Sequence, residues 1–315
     1  MRILYFADGD WGTQSLQLLL DRGADIIGVV LRVRPSDPTL AELATSADLP
    51  LWQPKNANAP DFVQKVADYG PDLNLSMSYD QILRSPILAT AQLGSINFHA
   101  GKLPQYRGRN PLNWALINGE EEVGLSALFI DNGIDTGDIV LQRTVPVGWT
   151  DTYGDVLDRV VAAFPAMVCE TVDLLASGDY ERIPQSHLHG TYFPTREEGD
   201  EWLDWTDSSR DLYNKIRAIA RPAPGARTSL GEEQVVIWKA AYDPKWPMYK
   251  ANPGQVVGRE RGRGVLVKTG DSTLLVEEVQ VDDRVPQRPK WRIGTRLGVD
   301  FSRLAQLWAR ELKGR

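Results

Sequence analysis

The chain of 315 residues contains a single cysteine, Cys169, and only three histidines, His99, His187 and His189. A lone thiol excludes an internal disulfide and a thiolate metal cluster. Three scattered histidines give too few ligands for a zinc site, so no metal is expected. The first turn reads Asp8-Gly9-Asp10-Trp11-Gly12. It is not the G-x-G-x-x-G that carries a dinucleotide, so such a cofactor is not supported. No apolar run reaches the roughly 20 residues of a membrane-spanning helix, which excludes a membrane as partner. MRILYFADGD already reads as a strand and a turn. That leaves no room for a secretion signal and makes a cytoplasmic protein the expectation. Internal repeats and low-complexity tracts are also missing.

What is there is the composition of an ordinary globular protein, 42% hydrophobic and 24% charged. The length suffices for two domains. The net charge of −7 is uneven: from residue 251 onward 13 Lys and Arg face 8 Asp and Glu, against 22 and 34 before it. Such an asymmetry hints at different partners for the two halves, although a solvated basic surface explains it as well.

A β-rich run at residues 2–7, an apolar-periodic helix at 13–20 and a strand at 25–33 predict a right-handed βαβ unit in a parallel sheet. Further helices are expected at 39–47 and 62–69, a strand end at 51–54 and a strand at 73–77. Ser85-Pro86 marks a helix start, with Ser85 as cap and Pro86 in the first turn. Residues 111–118 read as a helix, 124–130 and 139–147 as strands, and 152–176 as a long amphipathic helix closing the first domain. The polar stretch 187–200 reads as a linker. Beyond it Ser208 or Ser209 caps a helix stopped by Arg221-Pro222. Short β runs at 235–239, 254–257, 264–269 and 273–280 then suggest a small barrel, and 301–312 a closing helix. The expected fold is α/β, with a doubly wound, mostly parallel sheet over residues 1–186 and a smaller β-barrel-like domain over 201–315.

Residues 95–138 hold the chemistry-bearing side chains. Ser95-Ile96-Asn97-Phe98-His99 alternates as a half-buried strand does, which sets Asn97 beside His99 on one face. A carboxamide donor beside an imidazole can polarise a carbonyl and manage a proton at one carbon. A Gly/Pro-punctuated loop follows, with Lys102, Arg107 and Arg109, a natural place for an anionic substrate. Asp131-Asn132-Gly133-Ile134-Asp135-Thr136-Gly137 is a second turn-rich loop carrying two carboxylates. An Asn-x-His on a strand, taken alone, is more often structural than catalytic.

Together the Asn-x-His, the run Leu103-Pro104-Gln105-Tyr106-Arg107-Gly108-Arg109-Asn110-Pro111-Leu112 and the Asp131 to Gly137 loop resemble the folate-dependent formyltransferases. That superfamily includes sugar N-formyltransferases and methionyl-tRNA formyltransferase. The resemblance implies a catalytic trio of Asn97, His99 and Asp135. It implies 10-formyltetrahydrofolate as cofactor, held by Gln81, Ile82 and Leu83 and by Asp131, Asn132, Gly133, Ile134 and Asp135. Ile82 and Leu83 would also serve as core plugs, and Asp131 as a turn residue. Arg109 is the expected ligand contact, and Arg107 either touches substrate or braces its loop. Lys102 stands where the family often has a small or apolar residue, so it either touches the substrate or lies on the surface. The relatives carry an open, oligonucleotide-fold-like barrel in the second domain and commonly pair through it. A homodimer is therefore expected, with Trp238, Trp246, Trp291 and Trp308 as aromatic surface for the pairing, although core burial explains these tryptophans equally well.

The resemblance leaves two readings of the acceptor and a third without catalysis. Methionyl-tRNA formyltransferases carry a long basic insertion after the second strand, and here the segment reads LRVRPSDPTLAELA, short and weakly basic. An acidic first domain is also poor for approaching RNA. A nucleotide-linked amino sugar for a surface polysaccharide is therefore the expected acceptor, with nucleic acid not expected as a partner. Methionyl-tRNA formyltransferase is the alternative. A non-catalytic folate-binding protein is the third reading, and an intact Asn97, His99 and Asp135 argue against it.

Overall fold

Short apolar strands separated by amphipathic helices give the first half of the chain a sheet with its loops gathered at one edge. In the computed structural model residues 1–298 are described. The chain divides into two units, one of Met1–Leu112, Glu121–Val147 and Asp155–Thr195, the other of Asn113–Glu120, Gly148–Gly154 and the chain from Arg196.

The first half runs β1 (Arg2–Ala7), α1 (Gly9–Asp21), β2 (Asp25–Leu31), α2 (Thr39–Ser46), β3 (Leu51–Trp52), α3 (Pro60–Tyr69), β4 (Leu73–Met77), α4 (Ser85–Leu88) and β5 (Ser95–His99). There follow β6 (Arg107–Gly108), α5 (Pro111–Ile117), β7 (Glu122–Phe129), β8 (Ile139–Pro146), α6 (Tyr153–Ser177), a 3-10 turn at His187–His189 and β9 (Tyr192–Phe193). The main sheet has the order β3-β2-β1-β4-β5-β7-β8. Its first five strands are parallel, and β7 and β8 continue it antiparallel. The chain leaves β1 in one direction to β2 and β3 and returns to β4 on the other side. In such open sheets ligands bind outside the carboxyl ends of the strands, near that reversal. Those ends are where Asp8, the loop after Met77, and His99 lie.

β1 and β4 are buried on both faces, as a central parallel strand requires. Leu4, Phe6, Val30, Trp52, Val66 and Ile87 form one core cluster, which Leu83 joins from the loop after β4. Fully burying side chains of this size contributes about 1.5–3 kcal/mol each. The helix start at Ser85 differs from the expectation. Arg84 occupies the cap position and no side-chain cap bond forms, because the Ser85 hydroxyl donates instead to Asn132 Oδ1 (3.0 Å). The polar stretch after residue 186 carries secondary structure. β9 pairs in parallel with β6, and the chain as far as Thr195 packs with the first unit. Contrary to the reading that no segment is apolar enough, α6 is long and apolar enough to cross a membrane, although half of its apolar window is buried inside the protein. Phe164 on that helix meets Trp11 and Phe98 edge to face.

The second unit carries α7 (Ser209–Ala218), β10 (Ala226–Leu230), β11 (Glu233–Ala241), β12 (Val256–Glu260), β13 (Gly264–Lys268) and β14 (Thr273–Val281). The strands form one antiparallel sheet in the order β10-β11-β14-β13-β12. Ser208 caps α7 by accepting from the Asp211 N–H (3.1 Å). Asp271 Oδ1 then ties the helix start to the sheet, accepting from the Ser209 N–H (2.8 Å), the Ser209 hydroxyl (3.0 Å) and the Ser272 N–H (2.7 Å). Trp238, Trp246 and Trp291 are half-buried. Trp308 and the helix expected at 301–312 lie outside the described residues.

Candidate active site

β5 is clamped between β4 and β7, with Asn97 opposite Ser76 and Leu128, and His99 opposite Ser126. That pairing fixes the face on which Asn97 and His99 project. His99 is buried, and its Nε2 lies 2.7 Å from the Tyr106 carbonyl. A carbonyl can only accept, so Nε2 carries the proton. Nδ1 is thereby left as the basic position, 3.7 Å from Asp135 Oδ2. The spacing suits an ion pair once Nδ1 gains a proton.

Asp135 reaches this place from the loop after β7. The loop builds itself: Asp131 Oδ1 accepts from the Gly133 N–H (2.9 Å) and the Thr136 hydroxyl (2.6 Å). Asp135 has a left-handed φ of +53°, which costs a side-chain-bearing residue about 1–2 kcal/mol. Its two carboxylate oxygens are divided between neighbours. Oδ1 accepts from Asn97 Nδ2 (3.3 Å), and Oδ2 accepts from the Gly108 N–H (2.9 Å) while facing His99. Asn97, His99 and Asp135 are thus one cluster. Composed this way, the cluster offers a neutral amide donor, a base and a fixed anion within one small space, the set a carbonyl transfer needs.

The other expected site residues divide. Gln81 spans the neighbouring loop, its Oε1 accepting from the Ala57 N–H (2.7 Å) and its Nε2 donating to the Pro54 carbonyl (3.1 Å). Leu83 is buried, whereas Ile82 is 55% exposed and Ile134 is 53% exposed. The Ser85–Asn132 bond ties the two loops that carry these isoleucines. Two bared apolar side chains on linked loops are what a flat heteroaromatic ring would cover, so the residues present fit a folate. Burial pushes the Tyr79 hydroxyl up from its ordinary pKa, and that buried oxygen has no partner among the described residues. Arg107 is buried, with its guanidinium turned toward Gln185 and the Asp135 carbonyl. Arg109 is exposed, donating weakly to the Asp80 carbonyl (3.5 Å). Lys102 is exposed and paired with Glu122, whose carboxyl is held below its ordinary pKa by that lysine. Pattern reading missed Tyr106, Gly108 and Gln185, which act through main-chain atoms or from a polar stretch.

Against known proteins, a formyl transferase model matches residues 11–172, and a formyl transferase C-terminal domain model matches residues 196–291. The chain belongs to the formyl transferase family. It is a formyltransferase that uses 10-formyltetrahydrofolate. It is 37% identical over 290 residues to the methionyl-tRNA formyltransferase of Symbiobacterium thermophilum, covering 89% of this chain and 88% of that one. It is 33% identical over 291 residues to that of Desulforamulus reducens, covering 89% and 90%. Among solved structures, a sugar 3N-formyl transferase with dTDP and 5-N-formyl-THF aligns with a TM-score of 0.66 at 19% identity, over 90% of this chain and 99% of that one.

These relatives overturn the amino-sugar acceptor. The sugar enzyme shares the formyltransferase fold at low identity, while the relatives that are 33–37% identical along both units are tRNA enzymes. The exclusion of nucleic acid as partner loses its support with it. One short segment and a net charge summed over 250 residues do not decide between the two acceptors. Phosphate contacts depend on where individual cations sit, which such a sum does not describe.

Proposed function

We propose that this formyltransferase is a methionyl-tRNA formyltransferase, acting on the α-amino group of methionine carried by initiator tRNA. The reading is carried by the 37% identity that runs through both units to an enzyme of that name. When bound, 10-formyltetrahydrofolate supplies a formyl carbon, which becomes joined to the amino nitrogen as its bond to the folate nitrogen breaks. Asn97, whose Nδ2 donates to Asp135, would use its second amide N–H to meet the oxygen that gains negative charge. Such a donor stabilises the transition state by about 3–4 kcal/mol. His99 takes the proton of the attacking amine at Nδ1, the Asp135 carboxylate meets the imidazolium that results, and Nδ1 would give the proton up to the folate nitrogen as its bond to the formyl carbon breaks. The Tyr106 carbonyl holds the opposite ring nitrogen, so the base points one way.

The loops around Ile82 and Ile134 hold the folate ring, and the exposed Arg109 is the cation best placed to meet an anionic ligand. The segment between β2 and α2 is short, so it offers RNA little. The basic excess after residue 250, 13 cations against 8 anions, offers phosphate contacts instead. A tRNA substrate places the reaction in the cytoplasm. The purified protein, given 10-formyltetrahydrofolate and methionyl initiator tRNA, should yield N-formylmethionine after mild hydrolysis of the ester. Methionine recovered unmodified, with the folate consumed only when another amine is supplied, would contradict the proposal.

A further inference from the structure

Asp135 sits in a strained backbone conformation, φ +53°, and such a conformation persists only where the surroundings over-determine it. Its carboxylate is anchored by the Gly108 N–H while it faces His99 and Asn97, which leaves the main chain of the turn still to be held. The hold is on its carbonyl. Arg107 Nε donates to that oxygen at 3.1 Å and Gln185 Nε2 donates to it at 3.0 Å. Gln185 Nε2 also donates to the Gly137 carbonyl at 2.7 Å, so one amide group grips both sides of the turn that presents Asp135. The other end of Gln185 is equally occupied, Oε1 accepting from Arg107 Nε (3.1 Å) and Nη2 (2.8 Å). The amide orientation follows from this chemistry, since its oxygen faces only guanidinium donors and its nitrogen only carbonyls.

Both side chains are buried, and the rest of the segment after Gln185 is shaped around them. Tyr192 lies under the Arg107 guanidinium, 5.3 Å from ring centre to Cζ. A methyl group at Gly190 would sit 2.2 Å from Arg107 Nη1, so this position has to stay bare. β9, two residues further on, pairs with β6 and so fixes Gly108, the residue whose N–H holds Asp135 Oδ2. The clamp therefore reaches the carboxylate from two directions, through its own carbonyl and through Gly108.

We propose that Gln185, acting with Arg107, is a positioning residue for formyl transfer: it holds the main chain of Asp135 so that the carboxylate is aimed at His99 and Asn97. This rests on the reading of Asp135 as part of the catalytic trio. Gln185 touches no reacting atom in this arrangement, so its loss acts on turnover through Asp135 and leaves substrate binding alone.

The test is a double-mutant cycle in the full-length protein, comparing Gln185→Glu, Asp135→Asn and the double variant. Gln185→Glu keeps an acceptor for Arg107 but has no N–H for the two carbonyls. The variant should still fold through its pairing with Arg107, with a lower melting temperature because two carbonyls lose their donor. Its kcat should fall on the order of 10- to 100-fold, with the KM for formyl donor and acceptor changed by less than about twofold. In the Asp135→Asn background the same change should cost less than about twofold, because groups acting as a unit are not additive. Parental kcat in Gln185→Glu, or an undiminished loss in the Asp135→Asn background, overturns the positioning role. Parental kcat in Asp135→Asn alone overturns the catalytic reading beneath it, whatever Gln185→Glu does. Should Gln185→Glu fail to fold at the assay temperature, Gln185→Met and Arg107→Lys supply the same cycle at lower temperature, and the same coupling decides.

Discussion

Gly101→Ala places one methyl group at the tightest point around His99. An ideal Cβ at residue 101 would lie 2.5 Å from His99 Nε2, 2.8 Å from its Cδ2 and 2.6 Å from the Tyr106 carbonyl oxygen. Ordinary contact begins at 3.4 Å, so the ring would have to retreat by about 0.9 Å and the carbonyl by about 0.8 Å, on the scale at which a misplaced group costs about 100-fold in rate. The methyl would crowd both atoms of the 2.7 Å bond that sets the imidazole tautomer, standing beside it at nearly equal distance from each. Overpacking of this kind costs typically about 1–3 kcal/mol. The expected variant is therefore folded, with near-parental far-ultraviolet circular dichroism and a lower melting temperature. Its kcat for formyl transfer, measured by rapid quench, should be down about 100-fold. A Gly101→Ala protein with parental turnover would show that the Tyr106–His99 bond does not set the geometry of the base.

His99→Ala and Asp135→Ala should each lower turnover about 100- to 10,000-fold with the protein still folded, and near-parental rates in either would remove the mechanism. Calorimetry with 5-formyltetrahydrofolate should give binding that Ile82→Asp and Ile134→Asp each weaken. Equal affinity in both variants would place the ring elsewhere. The third expectation concerns pH. Burial pushes the Asp271 carboxyl up, but the donors from Ser209, Ser272 and Thr269 outweigh it and hold it below the usual carboxylate range. A depressed folded value means stabilisation that is present above the unfolded value of about 3.9 and lost as pH falls through the folded one. Asp271→Ala should therefore cost about 1.5–3 kcal/mol near neutral pH and progressively less below pH of about 4. A cost independent of pH, read from denaturant melts, would refute it.

The main sheet was legible because its central strands are short apolar or alternating runs between turn residues. Leu73–Met77 and Ser95–His99 emerge with the bounds their patterns predict. The Asn97–His99 juxtaposition follows from strand alternation alone. Its meeting with Asp135 does not, since nothing local brings a loop 36 residues further on to a strand end. The motif resemblance supplied that link. Gln185 was illegible for a different reason. It lies in a polar, Pro- and Gly-containing stretch, and a side chain that bonds only carbonyls and one guanidinium leaves no periodicity to read. β10 was missed likewise, because Ala226–Leu230 holds two apolar residues among polar ones and is a strand through its pairing with β11. Ser85 shows a local rule overruled, its hydroxyl drawn from capping to Asn132 by a contact 47 residues away.

The acceptor is the claim on which the functional account stands, and a competition in one vessel tests it most directly. The enzyme, limiting 10-formyltetrahydrofolate, methionyl initiator tRNA and a panel of nucleotide-linked 3-amino and 4-amino sugars are mixed, and the formylated products are separated and weighed by mass spectrometry. Formyl groups are expected on the methionine of the tRNA and none on the sugars. Formylation of a sugar, with the charged tRNA left unmodified, would contradict it.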